Sequence, residues 1–200
     1  GNKRVSVFCR GLLDIKTITV VRAAVNYVIT EHSLNIPNVF NGLRIKGASA
    51  TVDDRLPMSD QDLAMARPNF DDDPVAHALF VALTDTGARL SEITGLEVQD
   101  VDLQERSITI RPNGVRTLKT KGSQRTLPLS ERALELLQEH RRGKGDTQPI
   151  FPDYARPRGR DAASAMLMKR LRRSITDKKL TMHSLRHRMK DKLRNTGCPE

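Results

Sequence analysis

The first recurring pattern along the chain is helical. In the stretch 15–31, IKTITVVRAAVNYVITE, apolar side chains return at Ile18, Val21, Val25 and Val28, spacings of three and four that line one buried face of a helix. NIPNVFNGLRIKG then breaks the pattern with Pro37, Gly42 and Gly47, and ASATVDD continues as loop. A boundary between about Gly42 and Asp54 follows. It divides the chain into a short first segment, 1–48, and a larger second one, 49–200. The first is long enough for a helix or two.

In the second segment PMSDQDLAMA opens a short helix with Ser59 or Asp60 as its cap. DPVAHALFVALTDTG is an apolar helix between a capping Asp73 and a terminating Gly87, and RLSEITGL is a short helix after it. The period then changes. RSITI, VRTLKT and RTLPLS are short runs rich in Ile, Val, Thr and Leu, parted by RPNG and KGSQ, and they predict a three-stranded antiparallel meander. Helices resume with SERALELLQEHRRG, from Ser130 to about Gly143, and with DAASAMLMKRLRRSI, from about Asp161, where Leu167, Leu171 and Ile175 stand four apart. A last helix from about His183 buries Leu185, Met189 and Leu193 and stops at Gly197. The expected fold class is mainly α with a small antiparallel three-stranded sheet on one flank, an α+β arrangement.

Composition leaves that picture standing. Hydrophobic residues make up 38% and charged residues 29% of the 200, the balance of a folded globular chain. No apolar run approaches a membrane span, and the opening GNKRVSVFCR does not read as a signal peptide. Cys9 and Cys198 lack metal-ligand spacing, so a reduced, cytoplasmic setting is expected.

Charge changes the picture more. The formal net charge is +10, but Thr51 to Arg106 holds thirteen acidic residues against four basic, a net of −9. Arg156 to Arg194 holds fourteen basic residues against three acidic, a net of +11. Such clustering favours a polyanion, because each phosphate neutralised by Lys or Arg releases condensed counterions. A nucleic acid is the expected partner, and charge alone does not separate DNA from RNA or an acidic lipid.

Three short stretches carry chemistry. TGARLSE places Arg89 at a helix start with Glu92 three residues on, LKTKGSQRTLPL puts Lys121 just before a turn, and HSLRH sets His183 and Arg186 on one helical face. Singly, these are an ordinary ion pair, a solvated turn lysine and a basic helix. In this order they resemble the tyrosine recombinases, the phage-type integrases. TGARLSE is similar to that family's first arginine box, KTKGSQRTLPL to its lysine hairpin ending in Pro-Leu, and HSLRH to its second box. PIFP at 149–152 resembles the spacer between them. Residues 1–48 resemble the end of a core-binding domain with its linker, and 49–200 the catalytic domain.

The resemblance implies roles. Arg89 and Arg186 grip the scissile phosphate of double-stranded DNA, and their guanidinium forks match its non-bridging oxygens. Lys121 protonates the leaving 5′-oxygen, although Lys119, two residues away on a strand, remains an alternative. His183 shares the nucleophile's proton or bonds the phosphate, Glu92 orients the first box, and His187 buttresses the helix. No metal and no other cofactor is expected, since paired arginines supply the electrostatic stabilisation and the bond energy is kept in a covalent phosphotyrosine link. Other protomers of the recombinase are expected partners in a synaptic complex.

The only tyrosines are Tyr27 and Tyr154, both before HSLRH, whereas the family's nucleophile follows that box. The chain is therefore expected to stop short of its nucleophile and not to cleave DNA by itself. A DNA-binding regulator without catalysis is one alternative, and an enzyme like the type IB topoisomerases is another.

Overall fold

A computed structural model describes residues 12–43, 56–114, 116 and 124–197. The chain separates into two compact units, Gly1–Asp54 and Arg55–Glu200.

The first unit contains α1 (Leu12–Glu31) and the loop after it. Asn38, buried, ties that loop to the helix by donating to the Arg22 carbonyl (3.0 Å) and to Asn26 Oδ1 (2.6 Å). Arg22 Nε returns a bond to the Phe40 carbonyl (3.0 Å). Polar bonds fix the loop, and the apolar face is only partly covered. Ile18, Val21 and Val25 are half-buried and Val28 is exposed, so the expected buried face is not fully covered by the described residues.

The second unit is built around α3 (Pro74–Thr86), which runs from an Asp73 cap accepting from the backbone of Val75 and Ala76 to Gly87 in the left-handed conformation. Ahead of it lies α2 (Asp60–Ala66), where Ser59 and Asp62 form a capping box. Phe70 and Phe80 stack at 4.0 Å, and Leu79, Ile93, Leu137 and Leu167 fill the space around them. After α3 come α4 (Leu90–Thr94), a three-stranded antiparallel sheet, α5 (Glu131–Arg141), α6 (Gly159–Leu171) and α7 (Met182–Asn195). Helices α4, α5, α6 and α7 all pack on α3, and the sheet flanks them.

The sheet order is β1 (Val101–Asp102), β2 (Ser107–Ile110), β3 (Arg125–Pro128), with Ile108 facing Val101 on one side and Leu127 on the other. Two of the three strands fall where the sequence places them. The expected strand VRTLKT lies, apart from Arg116, outside the described residues, and the remaining described strand is the two-residue β1, too short to show alternation in the sequence. Helix α6 starts two residues before the expected Asp161, and Ile175 is buried beyond its end. In α7 only Leu185 of the three expected core positions is fully buried. Met189 is half-buried, and Leu193 is 47% exposed because the last turns of α7 run clear of the core.

Candidate active site

Arg89 is the residue from which α4 begins, and Glu92 is in its first turn. A glutamate three residues into a helix reaches back to the exposed N–H at its start. Here Glu92 Oε2 accepts from Arg89 N (2.7 Å) and Oε1 from Arg89 Nη1 (2.9 Å). Arg125 on β3 completes the set, donating from Nη1 to Oε1 (3.2 Å) and from Nη2 to Oε2 (2.7 Å). The Glu92 side chain is only 3% exposed. Burial raises its pKa, but the Arg125 and Arg89 bonds outweigh that and bring it down to about 2. The backbone of Glu92 is held as well, because the buried Arg116 donates from Nη1 to its carbonyl (2.7 Å) and also meets Asp100 and the Arg111 carbonyl.

The second arginine arrives from α7. Thr181 caps this helix by accepting from His183 N (3.2 Å). One turn further on, Arg186 Nη1 donates to the Gly87 carbonyl (2.7 Å) across a sequence separation of 99. Gly87 stands two residues before Arg89, so their α-carbons are at most about 7 Å apart. Arg186 feels its surroundings: burial lowers its pKa, the positive charge of Arg89 lowers it further, Glu92 opposes, and Arg125 adds to the lowering. An arginine in such surroundings still keeps its proton near neutrality. The side chain of Arg89 remains 42% exposed despite its bonds to Glu92, which leaves nitrogens for an anion.

Arg89 and His183 line one cleft of about 500 Å3, with Arg160, Asp161 and Ser164 of α6 on its other wall. Arg186 is not among the lining residues; it joins the site through the Gly87 carbonyl. His183 is exposed, and its ring meets that of His187, one turn on, edge to face at 4.8 Å. His187 Nε2 is buried with no hydrogen-bond partner among the described residues.

The structure thus brings together Arg89, Glu92, His183, Arg186 and His187. Lys121 and its alternative Lys119 lie outside the described residues. Tyr154 does not line the cleft; burial raises its pKa, and Asp73 and Asp153 raise it further, the reverse of what a nucleophilic phenolate needs. Tyr27 belongs to the other unit and is 65% exposed. Sequence reasoning missed Arg125 and Arg116. Arg125 was within reach, since it stands in the quoted KGSQRTLPL and alternation on a strand sets it on the face opposite Thr126.

This fold is that of integrase and recombinase catalytic domains. An integrase of the Tn1549 transposon, solved in complex with a circular intermediate DNA, superposes with a TM-score of 0.68 at 20% identity over 92% of this chain and 67% of that one. The XerA recombinase superposes with a TM-score of 0.57 at 22% identity over 88% of this chain and 61% of that one. The chain belongs to the phage integrase family, whose pattern matches residues 60–200. Among curated relatives, the tyrosine recombinase XerD of Corynebacterium glutamicum is 32% identical over 117 residues, 55% of this chain and 36% of that protein. The tyrosine recombinase XerC of Pelobacter propionicus is 26% identical over 114 residues, 55% and 35%. The chain spans about a third of the length of these relatives. No described helix is long and apolar enough to cross a membrane.

Proposed function

We propose that the chain is part of a site-specific DNA recombinase that cuts and rejoins double-stranded DNA by transesterification through a 3′-phosphotyrosine link. The observation that carries this reading is the bond from Arg186 to the Gly87 carbonyl, which brings a permanent cation from a distant motif to the backbone two residues before Arg89, itself lining a cleft with a histidine. A phosphodiester transition state gathers charge on its non-bridging oxygens, and fixed guanidiniums are suited to hold it. In this reading Arg89 and Arg186 are catalytic and clamp the phosphate. His183 handles the proton of the nucleophile or bonds the phosphate, Lys121 protonates the leaving 5′-oxygen, and Glu92 and His187 support them.

Residues 1–48 then close a core-binding domain, and 49–200 form the catalytic domain. Other protomers assemble with it on DNA, inside the cytoplasm. The polypeptide of 200 residues is expected not to cleave, because Tyr154 does not line the cleft and Tyr27 precedes HSLRH, whereas the nucleophile of this reading follows that box.

Fluorescence anisotropy with a labelled duplex tests DNA binding. Engaging roughly four or five phosphates should weaken binding on the order of a hundredfold between about 50 and 200 mM salt. Salt-independent binding, or none at low salt, refutes a DNA role. Incubation with a nicked duplex followed by a denaturing gel tests the chemistry: no covalent adduct is expected, and one mapping to Tyr27 or Tyr154 would overturn the assignment.

A further inference from the structure

We infer that Arg125 is a positioning residue for phosphate capture by Arg89, acting through the carboxylate of Glu92; this rests on the reading of Arg89 and Arg186 as a phosphate clamp. Both Glu92 oxygens are shared, each accepting one bond from Arg89 and one from Arg125. The sharing has two effects. First, geometry: a carboxylate gripped by a fork on one side presents a fixed edge on the other, and that edge takes the Arg89 backbone N–H at Oε2 and Nη1 at Oε1, which restrains the side chain against its own backbone. The Arg116 bond to the Glu92 carbonyl removes the remaining freedom, that of the backbone. Second, charge: Arg89 paired with Glu92 alone would be neutralised by it, whereas Arg89, Glu92 and Arg125 together carry one net positive charge beside Arg186. An incoming phosphate therefore meets a cation that is both aimed and uncancelled.

The arrangement also explains why the buried carboxylate is tolerated. An ionised carboxylate 3% exposed is costly unless its lone pairs are used, and Arg125 uses the two that Arg89 does not. Lysine at 125 would keep the charge but lose the fork.

The test uses the chain itself and inorganic phosphate as the probe, read at the arginine Nε–H signals by 15N NMR. The Arg89 signal is identified by its loss in Arg89→Lys. In the unsubstituted chain phosphate should shift the Arg89 and Arg186 signals together. Arg125→Gln should weaken phosphate binding at Arg89 by about tenfold, and Arg125→Lys by about threefold, with the amide spectrum of each variant still that of the folded protein. Equal phosphate affinity in the unsubstituted chain and both folded variants overturns the inference. If neither variant folds, Arg125 is only structural support and the inference falls as well. No phosphate response at Arg89 or Arg186 in the unsubstituted chain sinks the clamp itself, a failure separate from that of Arg125.

Discussion

Arg89 is held by ions and Arg186 by a backbone carbonyl, although that carbonyl belongs to Gly87, only two residues before Arg89. On the α4 and β3 side, a buried carboxylate ties Arg89 to Arg125, with Arg116 beneath. On the α7 side, a neutral carbonyl accepts from Arg186, while Thr181 fixes the start of the helix. The difference has energetic consequences. An ionic anchor in a buried place is costly to break and depends on protonation. A carbonyl anchor depends on shape alone and is indifferent to pH.

The sharpest way to break the comparison is to remove the anchor on the ionic side. Glu92→Ala leaves Arg89 and Arg125 without their shared carboxylate, and a loss of about 3–5 kcal/mol in urea unfolding is expected. Arg186→Ala removes a half-buried group bound to one carbonyl and should cost only about 1 kcal/mol in the same experiment. Equal costs would erase the distinction.

Acid titration separates the two sides next. The folded pKa of Glu92 is lowered to about 2 from an ordinary 4.5, so its contribution is fully present above about pH 4.5 and is lost as pH falls towards 2. The contribution is on the order of 3 kcal/mol. Stability measured against pH should show this acid limb, and Glu92→Gln should flatten it. Arg186→Ala should leave its shape unchanged.

DNA binding reverses the ranking of the sides. Arg186→Ala should lower duplex affinity by about fivefold at low salt and reduce the salt slope by about one, the signature of one lost phosphate contact. The smallest effect is expected at His183. Being exposed, it should change stability by less than about 0.5 kcal/mol on His183→Gln.

How much of this was legible in the sequence follows from the range of the interactions. Caps at Ser59, Asp73 and Ser130 and the left-handed Gly87 were readable because they are local: a side chain satisfies a backbone group two or three residues away. Arg89, Glu92, His183 and Arg186 were readable through motif order. Arg116 and Arg125 were not assigned, because a guanidinium finds its acceptors in space: here the Glu92 carbonyl, 24 residues from Arg116, and the Glu92 carboxylate, 33 residues from Arg125. Strand β1 was missed since two residues carry no period. The exposure of Leu193 and Val28 was missed because periodicity says which face is apolar, not whether anything lies against it.

Gly87 has a consequence for how interchangeable the parts of this domain are. Its φ of 59° suits glycine, and a Cβ there would fall 2.6 Å from Cβ of Met189. The hydrogen that stands in place of that Cβ therefore acts as a spacer gauge between α3 and α7, and the gauge sits on the residue whose carbonyl holds Arg186. A chimera that imports α7 from another protein can keep HSLRH intact and still fail if the side chain opposite position 87 is branched at Cβ. Compatibility of the two arginine motifs is thus decided at Met189, a residue outside both.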